Sequence, residues 1–397
     1  MAIRTLDDLE AAGRRVGVRV DVNSPLSGAE LADDARLRAH LDTLGELAGR
    51  GARVAVLAHQ GRPGRDDFSD LRPHAERFDE LLEAPVGYVD GTFCEAARAR
   101  IDALDDGELL VLENTRFYAE ETMEFEPESA AATHLVRKLA PALDAFVNDA
   151  FAAAHRSQPS MVGFAAALPA YAGRVMEREL AVLGGVEETD RPRVYVLGGA
   201  KVEDSLYVAD RVLERGLADE VLTVGLVGNL FLSASGTYLG DGTAELFEDQ
   251  GVAGCIDRAA ALLEAHPDRI RVPLDVAVDD GRGTVVSVDD LPVEAPALDI
   301  GPATAEAFAG AIEGAGTVIL NGPAGVAERD AFADGTRAIY EAASRAPTSI
   351  VGGGDTAAAL RRLGIAGFTH LSTGGGAALS MLAGDPLPAV EALRDDG

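Results

Sequence analysis

Ten short runs rich in β-branched residues punctuate this chain, and most lead through a glycine or polar cluster into an amphipathic stretch of helical period. The runs are VGVRV (16–20), RVAVLA (53–58), ELLVLE (108–113), DAFVND (144–149), RVYVL (193–197), EVLTV (220–224), RIRVPL (269–274), GTVIL (316–320), TSIV (348–351) and FTHLS (368–372). The helical stretches include 33–50, 130–139, 203–215, 304–313, 330–345 and 355–363. Such alternation predicts an α/β chain with parallel sheets covered by helices. A length of 397 residues predicts about two or three domains. The stretch MERELAVLGGVEETDRPR (176–193) reads as a helix followed by a charged, proline-containing run, which predicts a linking helix between two α/β domains. The alternative, one very large sheet, fits the length less well.

In open α/β sheets, ligands bind beyond the carboxyl ends of the strands. The segments there fall into two kinds. In the first half they are DVNSP (21–25), HQGRP (59–63), ENTRF (113–117) and NDAFAAAHR (148–156), which supply arginine and histidine. In the second half they are GGAKVEDS (198–205), GLVGN (225–229), NGPAGVAE (321–328), GGGDT (352–356) and TGGGA (373–377). These supply glycine, one lysine and one aspartate.

Glycines between a strand and a helix let backbone N–H groups approach a phosphate, and the helix dipole adds to the attraction. A single cluster reads equally as a tight turn. Three, at 198–199, 352–354 and 374–376, point to a polyphosphate ligand. None fits G-x-x-x-x-G-K-[ST], and no G-x-G-x-x-G opens a unit. Asp355 is either an N-cap or a Mg²⁺ ligand beside nucleotide phosphates, and the two roles are compatible. Glu328 is a ribose-hydroxyl acceptor or a solvated glutamate. The apolar segment VLTVGLVGNLFL (221–232), with Gly225, is expected to shape a base pocket. Arg36, Arg62, Arg116, Arg156, His59 and His155 are candidates for a second anion pocket, because guanidinium forks suit carboxylate and phosphate. Asp21 and Asn23 would hydrogen-bond the same ligand. For Arg36 the alternative is pairing with Asp33 and Asp34 on one helix. His155 alone means little.

Lys201 is one of two lysines, against 33 arginines. Either chance put it there, or its place needs a compact ammonium that follows a moving phosphoryl group. A phosphorylated small acid on one domain and a nucleotide on the other would make a kinase.

The net charge is −31, with 20 basic and 34 acidic residues up to position 188 and 15 and 32 after it. Neither half offers the positive face that a phosphate backbone needs, which argues against a nucleic-acid partner. So acidic a chain suits very high salt, where self-repulsion is screened. No apolar run reaches the length of a membrane span, and MAIRTLDDLE has no signal-peptide core. Cys94 and Cys255 lack metal-type spacing and are expected to be reduced and buried in a cytoplasmic protein.

Taken in order, these motifs resemble those of the phosphoglycerate kinase family along essentially the whole chain. They are RVDVNSP (19–25), DDARL (33–37), AHQGRP (58–63), NTRF (114–117), AHR (154–156), MEREL (176–180), GGAKV (198–202), DIGP (299–302), NGPAG (321–325), GGGDT (352–356) and STGGGA (372–377). The resemblance implies reversible phosphoryl transfer between 1,3-bisphosphoglycerate with MgADP and 3-phosphoglycerate with MgATP. It also implies two Rossmann-like domains joined by a hinge. The expected division is a substrate domain over 1–175, an interdomain helix over 176–188, a nucleotide domain over 189–375, and a tail over 376–397 packing back on the first domain; a monomer is expected.

Carried over residue by residue, Asp21, Val22, Asn23, Arg36, His59, Gln60, Gly61, Arg62, Arg116 and Arg156 take substrate positions. Lys201, Gly225, Asn321, Glu328, Gly353, Gly354, Asp355 and Thr356 take nucleotide positions, with Asp355 on Mg²⁺. Arg36, Lys201, Gly375 and Gly376 lie near the transferred group. The substrate carboxylate is already a nucleophile, so positioning and electrostatics suffice without a general base.

Three positions depart from the family pattern. Ser205 and Ala303 stand where lysines are common, which leaves nucleotide affinity open. Gln60 replaces a leucine and is expected to alter packing only. A nicotinamide-dependent dehydrogenase lacks its fingerprint here. A non-catalytic binding protein on this fold would have been free to lose Arg36, Lys201 or Asp355.

Overall fold

The computed structural model describes residues 3–28 and 30–394. Contacts divide the chain into two units, one running to Ala181 and resuming at Pro386, the other spanning Val182–Asp385. The division falls inside the helix Arg174–Gly184. Residues 376–385 therefore lie in the second unit and not in a tail packed on the first: the helix Gly375–Ala383 buries Ala377, Ala378, Leu379, Leu382 and Ala383 and packs on the helix Val202–Glu214. The short helix Pro388–Glu391 does lie with the first unit, where Ala389 N–H donates to Ala154 C=O (3.1 Å).

The first unit is built on six parallel strands: β1 (Arg15–Arg19), β2 (Arg53–Leu57), β3 (Val86–Tyr88), β4 (Leu109–Val111), β5 (Ala145–Asn148) and β6 (Ala170–Ala172). Their order is β3-β4-β2-β1-β5-β6. Helices cover both faces of such a sheet, so the central strands read as nearly continuous apolar runs. Val16, Val18, Val54, Val56 and Val147 are buried in one core with Leu44, Leu47 and Phe78. The expected helix 33–50 is interrupted at His40, giving Ala35–Ala39 and Leu41–Gly49. His40 turns inward there, a position its chemistry explains below.

The second unit has its own six parallel strands: β7 (Arg193–Leu197), β8 (Glu220–Thr223), β9 (Ile270–Arg271), β10 (Thr317–Asn321), β11 (Thr348–Gly352) and β12 (His370–Leu371). The order β9-β8-β7-β10-β11-β12 is, counted from β7, the 3-2-1-4-5-6 order of nucleotide-binding doubly wound sheets. The direction of winding reverses between β1 and β5 in the first sheet and between β7 and β10 in the second. Those are the places where strand-end loops splay apart and leave room for a ligand. An antiparallel three-stranded sheet (275–278, 284–287, 297–300) adds a satellite core around Val276, Val278 and Leu239.

Candidate active site

At the first sheet's switch point, the β1 end carries Asp21 and Asn23, the β2 end His59 to Arg62, and the segments after β4 and β5 Arg116 and Arg156. Arg36 reaches Asp21 and forms an ion pair with it. It does not pair with its helix neighbours: Asp34 is taken by Arg38 (2.9 Å) and Arg77 (2.6 Å), and Asp33 accepts the Ala35 N–H (2.7 Å). An open cavity of about 480 Å³ is lined by Arg62, Arg116, His155 and Arg156, with Glu121 and Glu124. A neighbouring cavity of about 460 Å³ is lined by Asn23, Gly61, Arg62 and Arg65. Asn23, Arg62, Arg116 and Arg156 therefore converge. Val22 does not offer a side chain to this region, because it is buried in the core.

Crowded guanidinium groups leave a signature. Burial, with Arg156, Arg19 and Arg62 close by, pulls the Arg116 pKa down to about 10. Arg156 is lowered by burial, partly offset by Asp21. His59 is pushed well below its ordinary value by burial and then by Arg19, Arg116, Arg156 and Arg36. The carboxylates of Asp66, Asp67, Glu121 and Glu124 line the same two cavities, so the guanidinium forks stand in a mixed-charge surface in which they remain the groups suited to an anion.

Five residues behind this surface escaped the reading of the sequence. Arg19 is buried and donates from Nη2 to His59 Nδ1 (2.8 Å) and from Nε to Ser160 Oγ (3.0 Å). Ser160 in turn donates through its N–H (2.7 Å) and hydroxyl (2.6 Å) to Glu121. Because a guanidinium only donates, His59 Nδ1 must accept, which leaves its proton on Nε2. His40 plays the matching part for Asp21. Its Nδ1 donates to Asp149 (2.7 Å) and its Nε2 accepts the Asp21 N–H (3.1 Å). Asp149 also accepts the Val175 N–H (2.8 Å). Arg19 stands inside the quoted RVDVNSP, but on a strand its alternation reads as core. Nothing local marks His40, Glu121, Asp149 or Ser160.

Gln60 is not a packing residue. It is fully buried, and its amide makes four hydrogen bonds: Oε1 accepts from Ser24 N–H (3.0 Å) and His74 Nε2 (3.1 Å), and Nε2 donates to Ser24 C=O (2.9 Å) and Asp67 C=O (3.2 Å). The adjacent Gly61 sits at φ +66°, and a Cβ there would come within 2.4 Å of Asp67 O.

In the second unit the glycine loops press against one another. Gly322, at φ +86° after β10, lies so close to the β7 end that a Cβ would fall 2.1 Å from Gly198 O. Gly225 approaches Pro323 O and Gly199 N, Gly353 approaches Asn321 Oδ1, and Gly375 lies against the Gly353 Cα. Thr356 Oγ1 accepts the Gly322 N–H (2.8 Å). Five strand-end loops thus share one patch of backbone. The segment 221–232 divides into the end of β8 and the helix Gly225–Ala234, with Val227, Leu230 and Phe231 buried.

Lys201 precedes the helix Val202–Glu214, and its Nζ lies 3.2 Å from Asp355 Oδ2, both side chains being exposed. Asp355 does not cap its helix: that helix begins at Gly354 with Gly353 as N-cap, and no side chain caps it. Its carboxylate instead pairs with Lys201. Glu328 is exposed. Ser205 is fully buried with its hydroxyl unpartnered. Cys94 is exposed, contrary to expectation, and its sulfur accepts from Ala97 N–H (3.5 Å) at the start of the helix Glu95–Asp102. Among the described residues, no group of three or more His, Cys, Asp or Glu is arranged to hold a metal by itself, and no helix is long and apolar enough to cross a membrane.

Two doubly wound units, one with an arginine–histidine pocket and one with converging glycine loops beside a lysine–aspartate pair, define a kinase of the two-domain α/β class. The phosphoglycerate kinase family profile matches residues 6–385. A phosphoglycerate kinase from Natronomonas pharaonis is 62% identical over 396 residues, covering 99% of this chain and 100% of that one. One from Halobacterium salinarum is 59% identical over 398 residues, with 99% and 100% covered. The crystal structure of phosphoglycerate kinase from Pyrococcus horikoshii OT3 superposes with a TM-score of 0.93 at 41% identity, covering 98% of each chain. The chain belongs to the phosphoglycerate kinase family.

Proposed function

We propose that the first unit binds 3-phosphoglycerate or 1,3-bisphosphoglycerate and the second binds ATP or ADP, with reversible phosphoryl transfer between them after hinge closure. The observation that carries this reading is the pairing of a pocket on which Arg62, Arg116 and Arg156 converge with a glycine-lined loop patch. Arg62, Arg116 and Arg156 bind the acid's phosphate, with His59 offering its Nε2 proton to the same ligand. Asp21 and Asn23 take the hydroxyl and carboxylate end. Arg36, held by Asp21, offsets charge on the reacting carboxylate. Gly61, Val22 and Gln60 frame the pocket rather than contact the acid through side chains: Gly61 and Gln60 hold Asn23, Arg116 and Asn114 through their backbone groups, and Val22 is buried in the core.

On the nucleotide side, the N–H groups of Gly353 and Gly354, with Thr356 bracing the loop, cradle phosphate. Asn321 and Gly225 border the base and sugar, and Glu328 accepts from the ribose. Lys201, with the Gly375 and Gly376 N–H groups, stabilises the transferring group. One exposed carboxylate beside a phosphate cradle is the donor set Mg²⁺ takes, since it keeps phosphate oxygens and waters as its other ligands. Asp355 would hold it, and the ion would supply neutralisation of phosphate charge. Lys201 and Asp355 neutralise each other without ligand, so neither charge stands alone. A monomer in the cytoplasm, adapted to high salt, completes the reading.

The test is a coupled assay in molar KCl with MgATP and 3-phosphoglycerate, the product being consumed by a dehydrogenase that oxidises NADH. Turnover requiring both substrates and falling at least tenfold in Lys201→Arg is expected. A folded chain without turnover would favour a binding protein on this fold, and wild-type rates in the arginine variant would remove the need for an ammonium.

A further inference from the structure

Resting on that reading of the first unit, we infer that Gln60 is a positioning residue that sets acid affinity by locking the three substrate loops into one hydrogen-bonded body. A buried amide has two acceptor sites and two donors, and all four are used. Ser24 meets it with both its N–H and its C=O, as one peptide meets another across a strand pair. The side chain thus fixes Ser24, and through Ser24 the direction in which Asn23 points.

The backbone of Gln60 is tied as firmly. Its N–H donates to Asn114 Oδ1 (3.3 Å), and Asn114 Nδ2 donates to Gln60 C=O (2.8 Å). At the next residue, Gly61 N–H donates to Asn23 Oδ1 (2.8 Å) while its C=O accepts from Arg116 Nη1 (2.6 Å). Asn23, Gly61, Arg62 and Arg116 therefore take their relative positions from a frame with Gln60 at its centre. An apolar residue of similar volume would fill the space and leave Ser24 N–H, Ser24 C=O, Asp67 C=O and His74 Nε2 without partners. Each unpaired buried group is costly, so the loops would separate to find water.

Loops that wander before binding must be ordered by the ligand, and the acid bears that cost. Every member of this frame belongs to the first unit, and the glycine loops belong to the second, so nucleotide affinity is expected to stay unchanged. That asymmetry distinguishes positioning from general destabilisation.

The experiment compares wild type, Gln60→Leu and Gln60→Glu as full chains in molar KCl. Calorimetry gives the affinities for 3-phosphoglycerate and for MgADP separately, and thermal melting gives stability. Gln60→Glu keeps the shape but loses both donors, so it reports if the leucine variant fails to fold. Expected is a loss of acid affinity of about tenfold in each folded variant, with MgADP affinity within twofold of wild type. Unchanged acid affinity in a variant with a lowered Tm overturns the inference, as does an equal loss for both ligands. A wild-type chain that binds the acid but turns nothing over would sink the kinase reading and leave the comparison of acid affinities fully readable.

Discussion

Asp299 is a carboxylate in a place that resists its charge. It is buried at the end of the strand 297–300, beside the loop 321–328 and the helix Asp334–Ala343. Its oxygens accept N–H groups from Ile300 (2.9 Å) and Gly335 (3.0 Å), which favour the ionised form. Burial outweighs them, and Asp334 adds repulsion, so the pKa rises from 3.8 to about 7. A carboxyl raised in the folded state binds its proton more tightly there than in the unfolded chain. Its contribution to stability is therefore fully present below pH 3.8 and is lost as pH rises toward 7. At about 1.4 kcal/mol per pKa unit, the loss across that window is on the order of 4 kcal/mol.

Asp299→Asn removes this titration at the cost of one hydrogen bond. For a unit of about two hundred residues, each kcal/mol moves Tm by about 2–4 °C, so the Tm difference between variant and wild type should grow by roughly 10 °C between pH 4.5 and pH 8. The histidines titrate in the opposite sense: His59 and His74, the latter lowered to about 4 by burial, lose stability as pH falls. They are common to both proteins, so only the difference curve matters. It should be measured by thermal melting in molar KCl. Parallel curves for the two proteins would refute the reasoning, because they would mean that Asp299 stays ionised or meets a cation throughout.

Three further outcomes are expected. Gly325→Ala puts a Cβ 2.4 Å from the Asp299 carboxylate and displaces the loop 321–328, so KM for MgATP should rise about tenfold with KM for the acid unchanged, read by steady-state kinetics. Arg19→Met removes the donor to His59 Nδ1 and a nearby positive charge; the His59 pKa should move upward, read by NMR titration, and KM for 3-phosphoglycerate should rise about tenfold. Dialysis toward low salt should unfold the chain, because a net charge of −31 then repels itself unscreened; circular dichroism checks this, and retained structure at low salt would remove the halophilic reading.

How much of this could be read beforehand depends on where the information lies along the chain. Ten of the twelve parallel strands were legible because each carries its own signal: RVYVL at 193–197 coincides with β7, and RVAVLA at 53–58 overruns β2 by one residue; the edge strands β3 and β6, three residues each, lie in runs too short to show one. The antiparallel strands at 275–278 and 284–287 were not, because DVAV and TVVS are too short to show a period and gain their order from pairing with each other. The site followed the same rule. Residues in strand-end loops announced themselves by type, since an arginine or a glycine run just after a strand has few structural reasons to be there.

The residues that orient them did not, because their partners are distant in sequence. Arg19 and Ser160 lie 141 positions apart, and His40 and Asp149 lie 109 apart. Gln60 is the instructive case. Its neighbours in HQGRP suggest a substituted packing residue, and every one of its side-chain partners lies elsewhere: Ser24, Asp67 and His74. A glutamine in place of a leucine can be absorbed only if all four of its polar positions are met, and the fold meets them with loop backbone and one buried histidine. A substitution that looks conservative in volume has thus become a polar joint. A pattern of residue types identifies ligand-facing groups, while the frame that aims them becomes visible only when distant segments are folded together.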